Sequence, residues 1–173
     1  RKVVVLAHVL SSVGWVGSVL AFIAVVVAGI NGSSETLVRG AFAAAGVVVQ
    51  FVIVPLALAA VVTGVLASLA SPWGLLRHYW VIIKLLLTIA ATAVLLAELK
   101  PIGTIAGLAA APDRPFPTTS AGMSMLVHGV GAIPVLLVVV ALAVYKPRGT
   151  TRFAPTAAAA SERGESAMTT RAD

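Results

Sequence analysis

Residues 3–30 read VVVLAHVLSSVGWVGSVLAFIAVVVAGI. Apart from His8, every position is apolar, glycine or serine. A helix needs about 20 consecutive mostly apolar residues to cross the hydrocarbon core of a bilayer, so Val3 to Ile30 predicts a transmembrane span. Three further runs of the same character follow: residues 47–70, within a longer apolar stretch from Leu37 to Ala70, then 79–99 and 123–145. Turn-forming segments separate them: Asn31-Gly32-Ser33-Ser34, Ser71-Pro72-Trp73-Gly74, and the Pro-rich stretch Pro101 to Thr119. The alternation of a membrane barrel strand is absent, which leaves helices as the spanning element. The expected fold is all-α, a four-helix transmembrane bundle over residues 1–148, with residues 149–173 as a disordered tail poor in large apolar side chains. The second run is too long for one upright span. Leu37 to Gly46 is expected to be an interfacial or tilted lead-in, with Pro55 kinking the span proper.

The composition agrees. Of 173 residues 60% are hydrophobic and only 10% charged, whereas soluble domains carry about a quarter charged residues. With no Cys there is no disulfide framework, thiolate metal site or thiol chemistry, so any metal would be held by imidazole. Twelve bases against six acids give a net charge of +6. On a membrane protein this excess reports topology, and it does not point to nucleic acid. One side of the bundle carries Arg1, Lys2, Arg77, Lys146, Arg148 and Arg152 without an acid. The other carries Arg39, Lys100 and Arg114 beside Glu35, Glu98 and Asp113. The positive-inside rule then places both termini in the cytoplasm of a multi-pass protein of the bacterial inner membrane. Arg1-Lys2 could open a secretory signal, but the run is too long and lacks a clear small-residue cleavage site, so an uncleaved first span is expected. A start at Arg suggests that a few residues precede it.

Ionisable residues inside spans are costly and therefore informative. His8 lies roughly 8 Å below the cytoplasmic boundary, on a face with Ser11, Ser12 and Trp15. Gly14, Gly17 and Ser18 flank it and admit a second backbone or a flat ligand. It reads either as a hydrogen bond across a helix interface or as a ligand. Lys84, five residues into the third span, either snorkels to the headgroups or turns inward on the stripe Arg77, Thr88, Ala91, Leu95 and Glu98. His78, between Arg77 and the aromatic pair Tyr79 and Trp80, reads as an interfacial anchor or as a partner for His8 at similar depth. His128 shares a face with Ser124, Gly131 and Val135. It lies on the order of 15–20 Å in depth from His8, too far to share one iron, and is a secondary candidate. No phosphate loop, HExxH or paired-carboxylate arrangement is present, and no acid is placed to orient His8 as a catalytic base.

Three motifs in order carry a family resemblance. HVLSSVGWVGS (His8 to Ser18), TGVLASLASPWGLLRHYWVIIKLLL (Thr63 to Leu87) and HGVGAIPVLLVVVALAVYKPRG (His128 to Gly149) resemble the first, second-to-third and last spans of the CopD-type copper-resistance proteins and HemJ-type protoporphyrinogen oxidases. RHYW, KLLLT and YKPRG look typical of an actinobacterial group of integral membrane proteins in that superfamily, defined by a domain of unknown function. The resemblance covers residues 3–148. It implies a haem b or porphyrin site, with the first-span His and third-span Lys of the oxidases mapping onto His8 and Lys84. Ile82, Ala132-Ile133 and the Leu96-Ala97-Glu98 region stand where the oxidases carry His, Asn-Glu and His, which removes the polar groups behind oxidase chemistry.

The expected function is that of a small integral membrane protein, with no reaction assigned, binding haem b or a porphyrin through His8. His78 is a candidate second ligand, Trp15 a candidate ring contact, and Lys84 or Arg77 a candidate partner for a propionate. Two alternatives stay open. One is a cofactor-free accessory module that packs as a homo-oligomer or with another membrane subunit through its small-residue faces. The other is copper handling, which the scarcity of soft ligands disfavours.

Overall fold

The computed structural model describes residues 2–70, 78–147, 149 and 151. Among them are four helices, all long and apolar enough to cross a membrane, and no strand: α1 (Lys2–Ile30), α2 (Glu35–Leu69), α3 (Tyr79–Ala109) and α4 (Thr118–Tyr145). Arg77 and nearly all of the expected tail lie outside the described residues. Consecutive helices pack side by side and α1 also packs on α4, which closes an up-and-down ring. At 1.5 Å per residue the helices run about 42–52 Å, the thickness of a bilayer with its headgroups or slightly more.

The inward stripe of α1 is Trp15, Val19, Phe22 and Val26, all buried. These side chains recur at helical spacing and meet Phe42, Ala45, Val49, Ile53, Ala57 and Ala60 of α2. The outward faces are as apolar as the core, with Leu10, Val94 and Val144 exposed, which suits a chain whose solvent is lipid.

Three helix boundaries differ from the sequence expectation. Leu37 to Gly46, expected as an interfacial or tilted lead-in, belongs to one continuous helix with the span that follows, because α2 is helical from Glu35 onward. Ser34 caps it, accepting the Leu37 N–H at 3.3 Å. Phe42 and Ala45 in this segment are wholly buried. The Phe42 ring sits where Gly29 and Gly122 lack side chains, since a Cβ at either would lie 3.1 Å from it. The kink expected at Pro55 is a π-helical turn, Val49–Ile53, closed by the Val54 N–H on the Val49 carbonyl. Proline at 55 has no N–H and needs room at the preceding turn, and the wider turn supplies it.

α3 does not stop at Leu99. It continues through Pro101 to Ala109, and α4 begins at Thr118, before the expected Met123. Two contacts hold the extension. Gly46 brings α2 against Ala106 so closely that an added Cβ would lie 2.5 Å from the Ala106 Cβ. The Arg39 guanidinium donates to the carbonyls of Leu108 (3.1 Å), Ala111 (3.0 Å) and Arg114 (2.8 Å). It also pairs with Glu35 at 2.8 Å and lies 5.6 Å from the Phe116 ring centre. A cation donating to the open carbonyls of a helix C-terminus satisfies both hydrogen bonding and the helix dipole.

Candidate functional site

One polar cluster lies at the Lys2 end of the bundle, about 8–9 Å in from the helix starts. His8 of α1 reaches Thr63 of α2 with Nδ1 (3.3 Å) and Lys84 of α3 with Nε2 (3.0 Å). Ser11 donates to the His8 carbonyl at 3.1 Å and stands 3.4 Å from the Thr63 hydroxyl. The hydrogens can be assigned from the far end. The Ala59 carbonyl only accepts, so the Thr63 hydroxyl donates to it. Thr63 Oγ1 then accepts from His8 Nδ1–H, and the Nε2 lone pair accepts from the Lys84 ammonium. His8 is thereby the neutral Nδ1–H tautomer, at the centre of a one-way chain from Lys84 to the α2 backbone.

Gly64 makes room for this ring. A Cβ there would lie 2.9 Å from His8 Cε1, closer than two carbons approach, so a larger residue must displace the imidazole. Gly64→Ala is expected to destabilise the protein by about 1–3 kcal/mol through overpacking, read as a lower melting temperature in detergent. Gly17→Ala meets open space and should leave the melt near wild type. Equal melts for the two variants would contradict the packing.

Lys84 is half-buried, and among the described residues no carboxylate lies within ion-pairing distance of it. It faces a cavity of about 180 Å³ bordered by His8, Gly64, Ser68, Trp80 and Thr88. Thr88 directs its hydroxyl to the Lys84 carbonyl at 2.7 Å. The site is therefore a cation beside a neutral imidazole, on a wall that also carries Ser68 and Thr88.

The other candidates are placed as follows. His78 caps α3, with its ring centre 6.4 Å from that of Trp80. It does not border the cavity that His8 borders. Trp15 is buried and lies beyond a small void behind His8, on the wall of a second and larger cavity. That second cavity, about 390 Å³, also has His128 and Glu98 on its wall, with His128 Nε2 at 3.4 Å from Glu98 Oε1. Glu98, expected among the charges of the non-cytoplasmic side, lies well inside α3, about 16 Å from its end. A third span that ends at Leu99 sets Glu98 at the membrane boundary, which hides the pairing. The available signal was an acid and a histidine each set in an apolar helical run. Among the described residues no group of three or more His, Cys, Asp or Glu side chains is gathered to hold a metal ion.

No protein-family profile, curated protein or solved structure matches the chain.

Proposed function

We propose that this chain is a small integral membrane protein that binds a lipid-soluble carboxylic acid of the tetrapyrrole class, haem b or a porphyrin, at the His8–Lys84 cluster. The observation that carries the reading is the uncompensated Lys84 ammonium at the cavity, held 3.0 Å from His8 although 76 positions separate them. A buried charge without a partner is unfavourable, and a ligand carboxylate would complete it. The resemblance, which singles out this His and this Lys, selects tetrapyrrole propionates among lipid-soluble acids. By the positive-inside rule, the Lys2 end is the cytoplasmic end of a multi-pass inner-membrane protein.

The cluster suits the carboxylate end of such a ligand. A cavity of about 180 Å³ is smaller than the roughly 300–1,000 Å³ of a whole small-molecule site, so it takes a propionate while the ring lies outside it against the helices. With Nε2 covered by Lys84, the imidazole as placed offers no free lone pair for axial ligation, and His78 does not border this cavity.

The test is titration of the detergent-purified protein with protoporphyrin IX and with its dimethyl ester, read by porphyrin fluorescence. The free acid is expected to bind at least about tenfold more tightly than the ester. Lys84→Met should lose a similar factor, the worth of one charge-assisted hydrogen bond, while staying folded because Met keeps the apolar stem. Haem b should compete with the porphyrin. Equal binding of acid and ester would overturn the carboxylate reading, and no binding of either would leave a cofactor-free module.

A further inference from the structure

We infer that the second cavity, between α3 and α4, is a binding site for the head ring of a neutral quinone or quinol of the bilayer. The site is separate from the His8–Lys84 cluster, and the inference does not rest on the function proposed there. Trp15, Val49 and Ile53 form the inner wall, and Val94 of α3 and Val127 of α4 stand at its outer edge, exposed to the lipid side. Its volume of about 390 Å³ falls within the roughly 300–1,000 Å³ of small-molecule sites. Small residues border it from both helices, Ala90 and Ala91 on α3 and Gly131 and Ala132 on α4, which leaves room between them. Gly131 has open space where a side chain would point.

The chemistry of the occupant follows from the one polar pair on this wall. His128 Nδ1 lies 2.9 Å from the Ser124 carbonyl, which only accepts, so Nδ1 carries a hydrogen. Its Nε2 faces Glu98 Oε1 at 3.4 Å. An imidazole and a carboxyl therefore stand side by side on an otherwise apolar wall. Such a pair presents both donor and acceptor capacity, so it can hydrogen-bond a carbonyl oxygen or a hydroxyl. Those are the two groups that a quinone and its quinol present. A plain acyl chain carries no group that could hydrogen-bond this pair. A water-soluble ligand would have to enter through an opening that faces lipid.

The test uses Trp15 as the reporter in the full-length chain carrying Trp73→Phe and Trp80→Phe. Decylubiquinone is titrated in detergent, with decanol as the ringless control. Saturable quenching of Trp15 by the quinone and not by decanol is the expected result. Gly131→Leu, which adds bulk where a Cβ meets open space on the cavity wall, should weaken binding at least about tenfold, and Glu98→Gln by about 5–30-fold, the worth of one buried hydrogen bond. Helical circular dichroism should be unchanged in both, and Gly131→Leu should still bind protoporphyrin. Quenching that does not saturate, or that survives Gly131→Leu, would overturn the proposal. Equal displacement by decanol would show a lipid-chain site in place of a quinone site.

Discussion

Phe42→Ala is expected to lower the stability of the bundle by about 3–5 kcal/mol, the range for removing a large buried aromatic side chain. Phe42 has no accessible surface. Its ring lies between the α1 backbone at Gly29 and the α4 backbone at Gly122, with the Phe116 ring centre 5.1 Å away at 57°. Glycines face the ring from two neighbouring helices and offer no side chain of their own. The cavity can therefore close only in part, by movement of Phe116 or Ile30, and the cost stays within this range. Phe42→Leu, which keeps most of the volume, should lose about half as much. Denaturation in mixed micelles followed by helical circular dichroism would measure both. A loss below about 1 kcal/mol for the alanine variant would show that the side chain is not the keystone described.

Arg39→Ala is expected to cost about 2–4 kcal/mol and to act locally, on the end of α3 and the 110–117 connection. Each hydrogen bond from a charged donor contributes about 1.5–3 kcal/mol, and three carbonyls lose theirs together. The leg to Glu35 adds little, because that carboxylate is largely exposed. Arg39→Lys should not rescue the loss, since a point ammonium cannot reach three diverging carbonyls as a planar fork does. Amide hydrogen exchange should therefore rise at residues 105–117 in both variants and stay at wild-type levels in α1. Uniform acceleration throughout the chain would mean that the contact supports the whole bundle and not one helix end.

The existence and helical character of the spans were legible because a bilayer imposes one strict demand, an unbroken apolar run with its backbone bonds satisfied internally. The inward face of α1 was equally readable from His8, Ser11 and Trp15. The helix ends were not. Pro101 looks like a terminator, yet the Arg39 cap that keeps the helix going comes from another span, and local sequence carries no trace of it. Local sequence sets Lys84 between the headgroups and the interior, and the deciding contact, His8, comes from the first span. Glu98 shows the same limit. Its partner is on α4, and its depth became visible only once α3 was seen to pass Pro101.

The π turn at Val49–Ile53 fixes the rotational phase of α2. The buried residues Ala45, Val49, Ile53 and Ala57 are spaced by fours. At 3.6 residues per turn each such step overshoots by about 40°, so three steps in a regular α-helix would carry the stripe about 120° away from its partners. The wider turn absorbs that drift, so the half bearing Arg39 and Phe42 and the half bearing Thr63 and Gly64 address the same interior. Deleting one residue there would swing one half against the other by about 100°, separating the cap from α3 or the threonine from His8. Chain length at this turn is thus a stricter requirement than the identity of any side chain in it.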